Sequence, residues 1–434
     1  MNIAVAGAGH GGLVAAARLS RAGHRVTVYE QLERDALGHD WEDRFTFSLL
    51  EEITGKPLPE GSWRFRGDCA FVSPSYRTEV VIRYTDENRQ KIMWRKALIG
   101  ALLEHAEENG VTFCFGTAIR GPLVQNGAVT GLVTDDGEIP ADLVIDAAGA
   151  FSPVRCGLPA SYHIEKEPKR GEVFYAWRAY LNKTEAVNPE VPFEIFLCHD
   201  KEQGLSWCCT NGNNADILVG LIDPLTDEKI EQSVASFRKR HPYIGTEILS
   251  GGQRGIIPVR RPLALMVGQG YAAVGDSAFM TTPMNGMGID LSLQAGRLLA
   301  DTLIKNGNCD LQTLWCYNRD YHRFLGGVAA KNEGLKNSLL QMPGEGVDFL
   351  FDNGVIQSSD LAGAGQKTSL GSLLGKFVRG MRSPGYFFAI IKGLMKGAKL
   401  AGKLKKVPER YDEAAVLRWQ QQVTENVLWV TRHG

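Results

Sequence analysis

The alternation of apolar runs and polar stretches along the chain predicts an α/β protein. Residues 3–6 form a short apolar run, residues 13–22 are rich in Ala and Leu, and residues 25–29 form a second short run. Short apolar runs are typical of strands buried in a parallel sheet, and the Ala- and Leu-rich stretch favours a helix. The chain therefore opens with a strand, a turn, a helix and a second strand.

The turn between the first strand and the helix reads GAGHGG, and the second strand ends at Glu30. Gly7 permits the tight turn, Gly9 lets the backbone approach a pyrophosphate at the helix N-terminus, and Gly12 lets helix and strand pack closely. The Glu30 carboxylate is placed to accept both ribose hydroxyls of an adenosine, which suits FAD or NAD better than a cofactor with a 2′-phosphate. The glycines expected at this nucleotide site are Gly7, Gly9, Gly11 and Gly12.

Two further glycine motifs lie far along the chain. Residues 146–155 read DAAGAFSPVR, and a buried strand at 271–274 leads into Asp276, after which PMNGMG at 283–288 opens a helix. A helix N-terminus with small residues can approach the N1/O2 edge of a flavin ring and stabilise the negative charge that reduction places there. The three motifs together predict a flavin site assembled from distant segments, with Asp276 at the ribityl chain.

The spacing of these motifs over residues 1–330 resembles the FAD-binding pattern of glutathione-reductase-like flavoproteins, in the branch that includes p-hydroxybenzoate hydroxylase and the geranylgeranyl reductases. The resemblance implies FAD as the cofactor. It also implies that Arg95, which opens an amphipathic helix, contacts the FAD phosphates. Beyond the first turn, the residues that the resemblance assigns to FAD are Arg95, Gly149, Asp276, Pro283, Gly286, Met287 and Gly288.

Within that branch the motifs are more similar to the reductases. Aromatic hydroxylases usually have His where this chain has Phe279, and Asp where it has Ala148. Two features depart from the reductase pattern: no Cys lies in the loop after Glu30, and the substrate-domain signature is reduced to LSWCCT at 205–210 with a single Gly220. The sequence therefore favours a reductase and leaves its substrate class open.

The order of the motifs predicts the domain organisation, because the third motif must return to the sheet of the first. Residues 1–160 and 256–330 are expected to build a Rossmann-like FAD-binding domain, 161–255 an inserted antiparallel-sheet substrate domain, and 331–434 a helical region. The aromatic residues of the insert either line a lipophilic pocket or form an ordinary sheet core. These residues are Phe174, Trp177, Phe196 and Trp207.

Composition narrows the class of protein. A chain of 434 residues, 44% hydrophobic, can bury a large core, and a net charge of −1 gives no reason to expect nucleic-acid binding. The eight cysteines are scattered without CxxC spacing, so we expect no metal site, and adjacent Cys208 and Cys209 are expected as buried strand thiols rather than a redox pair. Since the first nucleotide-binding strand starts at once, without a secretory signal, a cytoplasmic location is expected.

The segment 376–406 carries nine Lys or Arg residues and no acid. Lys392, Lys396, Lys399 and Lys403 repeat at helical spacing, so they share one helix face. Either the segment docks on an anionic membrane surface, or it forms a helical hairpin whose apolar face packs on the FAD domain. Its apolar stretch is too short to span a bilayer.

Together these features predict an FAD-dependent oxidoreductase that reduces a carbon–carbon double bond of a lipophilic substrate, prenyl-like, quinone or otherwise unsaturated, by hydride transfer from flavin N5. The electron donor, NAD(P)H or a ferredoxin-like protein, is left open. The candidate proton donors are His39, Asp40 and Glu42, although a short acidic surface loop explains them equally well. The alternatives are an FAD-dependent monooxygenase or halogenase and an electron-carrying flavoprotein without a small substrate.

Overall fold

The computed structural model describes residues 1–58, 60–87, 89–210, 212–361 and 370–430. The strands are β1 Asn2–Ala6, β2 Arg25–Tyr29, β3 Glu42–Asp43, β4 Trp63–Phe65, β5 Cys69–Val72, β6 Glu79–Ile82, β7 Lys91–Trp94, β8 Thr112–Cys114, β9 Ile119–Gln125, β10 Ala128–Thr134, β11 Gly137–Pro140, β12 Leu143–Asp146, β13 Val173–Lys183, β14 Phe193–Leu197, β15 Leu205–Cys209, β16 Asn214–Leu221, β17 Ile244–Pro258, β18 Val267–Gly268 and β19 Tyr271–Ala273. The helices are α1 His10–Arg21, α2 Phe47–Thr54, α3 Arg95–Glu108, α4 Pro153–Gly157, α5 Asp227–Arg240, α6 Ile289–Asn306, α7 Leu311–Tyr321, α8 Gly327–Ala329, α9 Glu333–Gln341, α10 Gly344–Asp352, α11 Ser358–Leu361, α12 Leu370–Gly380, α13 Pro384–Lys405 and α14 Glu413–Thr424.

The first sheet has the strand order β18-β19-β12-β1-β2-β8 and is parallel except for its edge strand β18. Its central strands are buried on both faces, as their uniformly apolar sequences predict. Helices α1 and α6 pack together on this sheet, and their backbones approach so closely that a Cβ on Gly11 would lie 2.6 Å from the Ser292 carbonyl oxygen. This helix–helix contact requires a glycine at position 11 whether or not a cofactor is bound.

The second sheet has the order β17-β13-β16-β15-β14-β5-β6. The strands of the predicted insert pair antiparallel, as expected, and α5 covers one face near its predicted position. Two strands come from outside the insert, since β5 joins β14 in parallel and β6 pairs with β5. Strand β17 also crosses the expected boundary at 255. The division of the chain into four segments stays a prediction.

The two faces of this second sheet have different environments. Trp177 and Phe196 lie on the face that α5 covers, in a core with Phe237. Because side chains alternate along each strand, Phe174 and Trp207 lie on the opposite face. This face is turned toward the FAD-binding segments, since Arg178 on it donates to the carbonyl of Glu42. Only two of the four insert aromatics are therefore placed to line a substrate site.

The chain ends in a helical region. Helix α13 crosses α9 at glycines, and a Cβ on Gly334 or Gly397 would lie 2.1 Å from a backbone oxygen of the partner element. On α13, Leu400 and Leu404 are buried in the main hydrophobic core, and Phe387 is buried in a separate cluster with residues of α10. Within the part of the chain that the structure describes, no helix combines the length and apolar character needed to cross a bilayer.

Cys208 and Cys209 are both buried in β15, and burial raises the pKa of the Cys208 thiol well above its usual range. A thiol held in its neutral form is a poor nucleophile. The expectation of buried strand thiols therefore agrees with the structure.

Candidate functional site

The first two glycine motifs form one packed turn at the carboxyl edge of the parallel sheet. Strands β1 and β12 end side by side, and Ala147 donates a backbone hydrogen bond of 2.8 Å to Ala6. Gly7 has a left-handed φ of +86°, and a Cβ on Gly7 or Gly9 would lie 2.8 or 2.7 Å from the Ala147 carbonyl oxygen. The glycines thus allow the turn to lie directly on the second motif.

Glu30 lies at the end of β2 beside this turn and is only 8% exposed. Its carboxylate accepts hydrogen bonds from the backbone N–H groups of Ala8, at 2.8 Å, and Leu32, at 2.9 Å. The carboxylate is therefore fixed against the helix N-terminus, in the position where the motif places an adenosine ribose.

The second motif forms a buried network of hydrogen bonds that connects the three motifs. The Asp146 carboxylate accepts hydrogen bonds from Ser152 Oγ, at 2.6 Å, and from the Tyr271 hydroxyl, at 2.9 Å. Ser152 caps α4. Gly149 donates its N–H to Ser277 Oγ at 2.9 Å, and Arg155 donates to the Ser277 carbonyl. These contacts join the second motif to the third.

The third motif places Asp276 at the N-terminus of α6. A Cβ on Gly288, the N-cap residue, would lie 3.4 Å from Asp276 Oδ1 and 2.8 Å from Thr281 Cγ2. No cation of the described residues forms an ion pair with Asp276, and burial, partly offset by Arg95, raises the pKa of its carboxyl to about 6. Pro283, Gly286 and Met287 lie in the turn that leads into this helix.

A cluster of polar side chains lies at this edge, and its members come from α1, from the loop after Glu30 and from the start of α3. Arg95 donates from Nε to Asp43 at 2.5 Å and from Nη1 to His39 Nδ1 at 3.4 Å. His39 stacks on Trp41 with a centroid distance of 3.9 Å. Although burial raises it, the paired Arg95 holds the pKa of the Asp43 carboxyl below its usual range. We call Arg95, Asp43, His39 and His10 the Arg95 cluster.

His10 lies inside the glycine turn, and the sequence reasoning did not select it. Its Nε2 atom is buried and has no hydrogen-bond partner among the described residues. Burial, followed by the charge of Arg95, lowers the pKa of His10 to about 4, and the same causes lower that of His39 to about 4. Both rings are therefore neutral at pH 7. The one available sequence signal was a titratable residue between Gly9 and Gly11, where the helix N-terminus begins.

The three candidate proton donors lie in different environments. His39 belongs to the Arg95 cluster. Asp40 is 40% exposed and pairs with Lys96 at 2.8 Å, whereas Glu42 is buried and is held by Arg64 at 2.6 and 2.7 Å. Both carboxylates are engaged by cations, and the assignment of all three residues stays a prediction.

Asp276 gives a testable pH dependence. Because its pKa is raised, the folded protein binds this proton more tightly than the unfolded chain does, so the contribution to stability is full at low pH and is lost as the pH rises through about 6. A shift of this size corresponds to about 2 to 3 kcal/mol. In the FAD-free protein, Asp276→Asn should therefore leave stability unchanged below pH 4 but increase it above pH 7. Urea unfolding on both sides of pH 6 measures this, and an equal effect at both pH values would contradict it.

Comparison with known proteins identifies the family. The FAD dependent oxidoreductase family matches residues 74–302, which is more than half of the chain. An NAD(P)-binding Rossmann-like domain matches residues 5–43, where the glycine turn and Glu30 lie.

Named relatives and a solved structure are similar to most of the chain. The digeranylgeranylglycerophospholipid reductase of Sulfolobus acidocaldarius is 21% identical over 98% of this chain and 97% of its own length. The menaquinone reductase of Mycolicibacterium smegmatis is 26% identical over 72% of this chain and 79% of its own. A geranylgeranyl bacteriochlorophyll reductase-like protein from Thermoplasma acidophilum shares the fold, with a TM-score of 0.71, 18% identity, and coverage of 90% of this chain and 98% of that protein.

The predicted resemblance to the geranylgeranyl reductases, the α/β fold class and the FAD cofactor are thus confirmed. The chain belongs to the FAD-dependent oxidoreductase family and is an FAD-dependent reductase.

Proposed function

We propose that this enzyme reduces a carbon–carbon double bond of a lipophilic, prenyl-type substrate. One observation carries the proposal: the match to a digeranylgeranylglycerophospholipid reductase extends over 98% of this chain. It therefore includes the second sheet and the C-terminal helices as well as the nucleotide-binding turn. A second relative is named menaquinone reductase, and a menaquinone is also a lipophilic compound.

The polar groups at the sheet edge fit FAD. When bound, FAD in its reduced form supplies a hydride at N5 of its flavin ring. The His10 Nε2 atom and the Asp276 carboxylate are polar groups for which a bound cofactor supplies partners, and a Cβ on Gly7 or Gly9 would close the turn. In this proposal the first turn and Arg95 hold the phosphates, and Glu30 holds the ribose. The residues nearest the ribityl chain and ring are then Gly149, Asp276, Pro283, Gly286, Met287 and Gly288.

An anaerobic reoxidation experiment tests the reaction. The enzyme is reduced photochemically under argon and mixed with geranylgeranyl lipids, quinones and their saturated analogues. With the lipids, we expect the flavin absorbance to return only with the unsaturated compounds, with a product that has gained two hydrogen atoms across a carbon–carbon double bond. With the quinones, whose ring alone can oxidise the flavin, the product must show saturation of a prenyl double bond. Reoxidation that requires oxygen and yields a hydroxylated or halogenated product would favour the monooxygenase or halogenase alternative. Reoxidation only by a protein acceptor would favour an electron carrier.

We further propose that the basic segment 376–406 delivers the enzyme to anionic membranes. Its helices pack on the protein through one stripe, yet a second apolar surface faces solvent, with Phe388 53% and Met395 68% exposed. Lys392 and Lys399 follow these residues by one helical turn, so positive charge borders the exposed apolar surface. Among the described side chains of this segment, the other large exposed apolar ones are Phe377 and Val378 of α12, Met381 between the two helices, and Leu394 of α13.

Charge reversal of the lysine face is therefore expected to release the protein from anionic vesicles. Each basic residue near such a surface contributes about 1 kcal/mol, so changing Lys392, Lys396, Lys399 and Lys403 to Glu should abolish cosedimentation without changing the FAD content. Raised salt should weaken binding of the parent protein. The matched control reverses four exposed lysines elsewhere: Lys166, Lys201, Lys239 and Lys305. If both variants lose binding equally, net charge rather than this surface is responsible.

A further inference from the structure

Two arginines near the third motif lack a counter-ion. Neither Arg44 nor Arg66 forms an ion pair with a carboxylate of the described residues. Both are half-buried, and Arg66 Nε is buried without any hydrogen-bond partner in the described part of the chain. We call Arg44 and Arg66 the arginine pair.

The arginine pair lies where the second sheet faces the FAD-binding segments. Arg44 follows β3, and its guanidinium contacts the sulfur of Met287, in the turn that leads into α6. Arg66 follows β4 and lies over the ring of Phe193, 3.8 Å from its centroid, with Trp207 at 5.9 Å. Phe193 and Trp207 lie on the face of the second sheet that is opposite to α5. The pair therefore lies between this face of the second sheet and the third motif.

The nearby acids are already occupied. Asp68 accepts from Arg83 at 3.1 Å and from the Tyr84 N–H at 2.9 Å. Asp290 faces Arg44 but accepts from the N–H and hydroxyl of Thr46, at 2.8 and 3.0 Å. By contrast, the other arginines of this region have partners of their own, Arg64 with Glu42 and Arg178 with Asp216. No carboxylate of the described residues therefore forms an ion pair with either arginine, and Asp290 offsets the charge of Arg44 only in part.

Such an arrangement is unfavourable without an anion. Burial, together with the charge of Arg66, lowers the pKa of Arg44, which shows that the two like charges interact. A guanidinium carries paired N–H groups that match two oxygens of a phosphate, and no carboxylate of the described residues occupies these groups on Arg44 or Arg66. The Tyr84 hydroxyl lies beside the pair and contacts the Cys69 sulfur at 3.6 Å, and burial raises the pKa of the phenol, which keeps it protonated.

We infer that the arginine pair binds the phosphate of an anionic prenyl lipid and so anchors the polar end of the substrate beside the face of the second sheet that is opposite to α5. This inference rests on the proposed function and refines it: it favours a phosphate-bearing substrate over a neutral quinone. Other sources of phosphate, namely the free ion, a nicotinamide dinucleotide and FAD itself, are separated by the experiment.

The test measures binding to the oxidised, FAD-loaded enzyme, without turnover. Geranylgeranyl phosphate and geranylgeraniol are titrated separately, and the shift of the flavin spectrum reports binding. We expect Arg44→Gln and Arg66→Gln each to weaken binding of the phosphate by about 10- to 100-fold, because a hydrogen bond to a charged group is lost, while the affinity for the alcohol stays within about twofold. Arg89→Gln is the matched control, since Arg89 also lies over an aromatic ring but is exposed and pairs with Asp86.

Several results would overturn the inference. Equal binding of phosphate and alcohol by the parent enzyme, or equal weakening of both in the variants, would remove the anion site. Loss of FAD from the variants would assign the arginines to the cofactor, and loss of NADPH binding alone would assign them to a dinucleotide. Displacement of both prenyl ligands by inorganic phosphate at equal concentrations would indicate a site for the free ion.

Failure of the proposed function gives a different result. Arginine-dependent binding without anaerobic reoxidation would support the anion site and refute the proposed reduction.

Discussion

Gly9→Val is expected to abolish FAD binding, with affinity reduced at least about 100-fold, or about 2.7 kcal/mol. The sequence reason is that a branched side chain fills the space beside the pyrophosphate. The structure adds a second reason, because even a Cβ at this position would lie 2.7 Å from the Ala147 carbonyl oxygen. The turn must then move away from the second motif, which displaces the N–H groups at the start of α1. FAD retained after gel filtration measures the effect.

Gly100→Val provides the control for this experiment. Gly100 lies within α3, and a Cβ there would meet no atom within 4 Å. The control should keep its FAD and change stability only by the small helix-propensity difference, which favours valine over glycine. Circular dichroism of the Gly9→Val protein checks that it is folded. A folded Gly9→Val protein that retains full FAD would refute the assignment of this turn to the cofactor.

Arg178→Met is expected to lower the free energy of unfolding by about 3 to 5 kcal/mol, because it leaves a buried carboxylate without its cation. Arg178 and Asp216 have side chains only 4% exposed and share two hydrogen bonds of 2.7 Å. After the change, Asp216 keeps a long contact of 3.4 Å from Trp207 Nε1. Arg178 also donates at 2.6 Å to the carbonyl of Glu42, so the loop that carries His39 and Asp43 loses an anchor. We therefore expect weaker FAD retention as well.

Urea unfolding of the FAD-free protein measures this loss, and two comparisons separate its causes. The double variant Arg178→Met with Asp216→Leu should recover part of the stability, because no uncompensated charge remains. Arg120→Met removes an exposed ion pair with Asp135 and should show no measurable change. Equal stability of the single and double variants would mean that the cost comes from packing rather than from charge.

Local sequence was sufficient to predict the FAD-binding turn. The apolar run of β1, the glycines at 7, 9 and 12, and the acid at the end of β2 lie within one short segment, and their conformations depend mainly on neighbouring residues. The N-cap position of Gly288 before α6 and the helix α5 were predictable for the same reason. Assignment of individual residues to FAD contacts remains a prediction.

Pairing between distant segments was less accessible. The short apolar runs of β5 and β6 are compatible with strands but do not say which sheet they join, and they pair with the insert rather than with the Rossmann-like sheet. Gly11 was assigned to the nucleotide site, yet its close neighbour is Ser292 on a helix nearly three hundred residues away. The period of the hydrophobic pattern specifies which side of a strand or helix is buried. Which other element packs against that side depends on the topology of the whole fold.

The sequence by itself therefore determined the fold class, the cofactor and the reductase character of this protein, since these depend on short motifs whose backbone geometry is local. Only the tertiary structure decided which charged side chains share a site. It brought His10 to Arg95 and His39, gave Arg178 a counter-ion and left Arg44 and Arg66 without one. The physical reason is that a charge is compensated by whatever lies within a few ångströms of it, and those neighbours come from elements far apart in the chain.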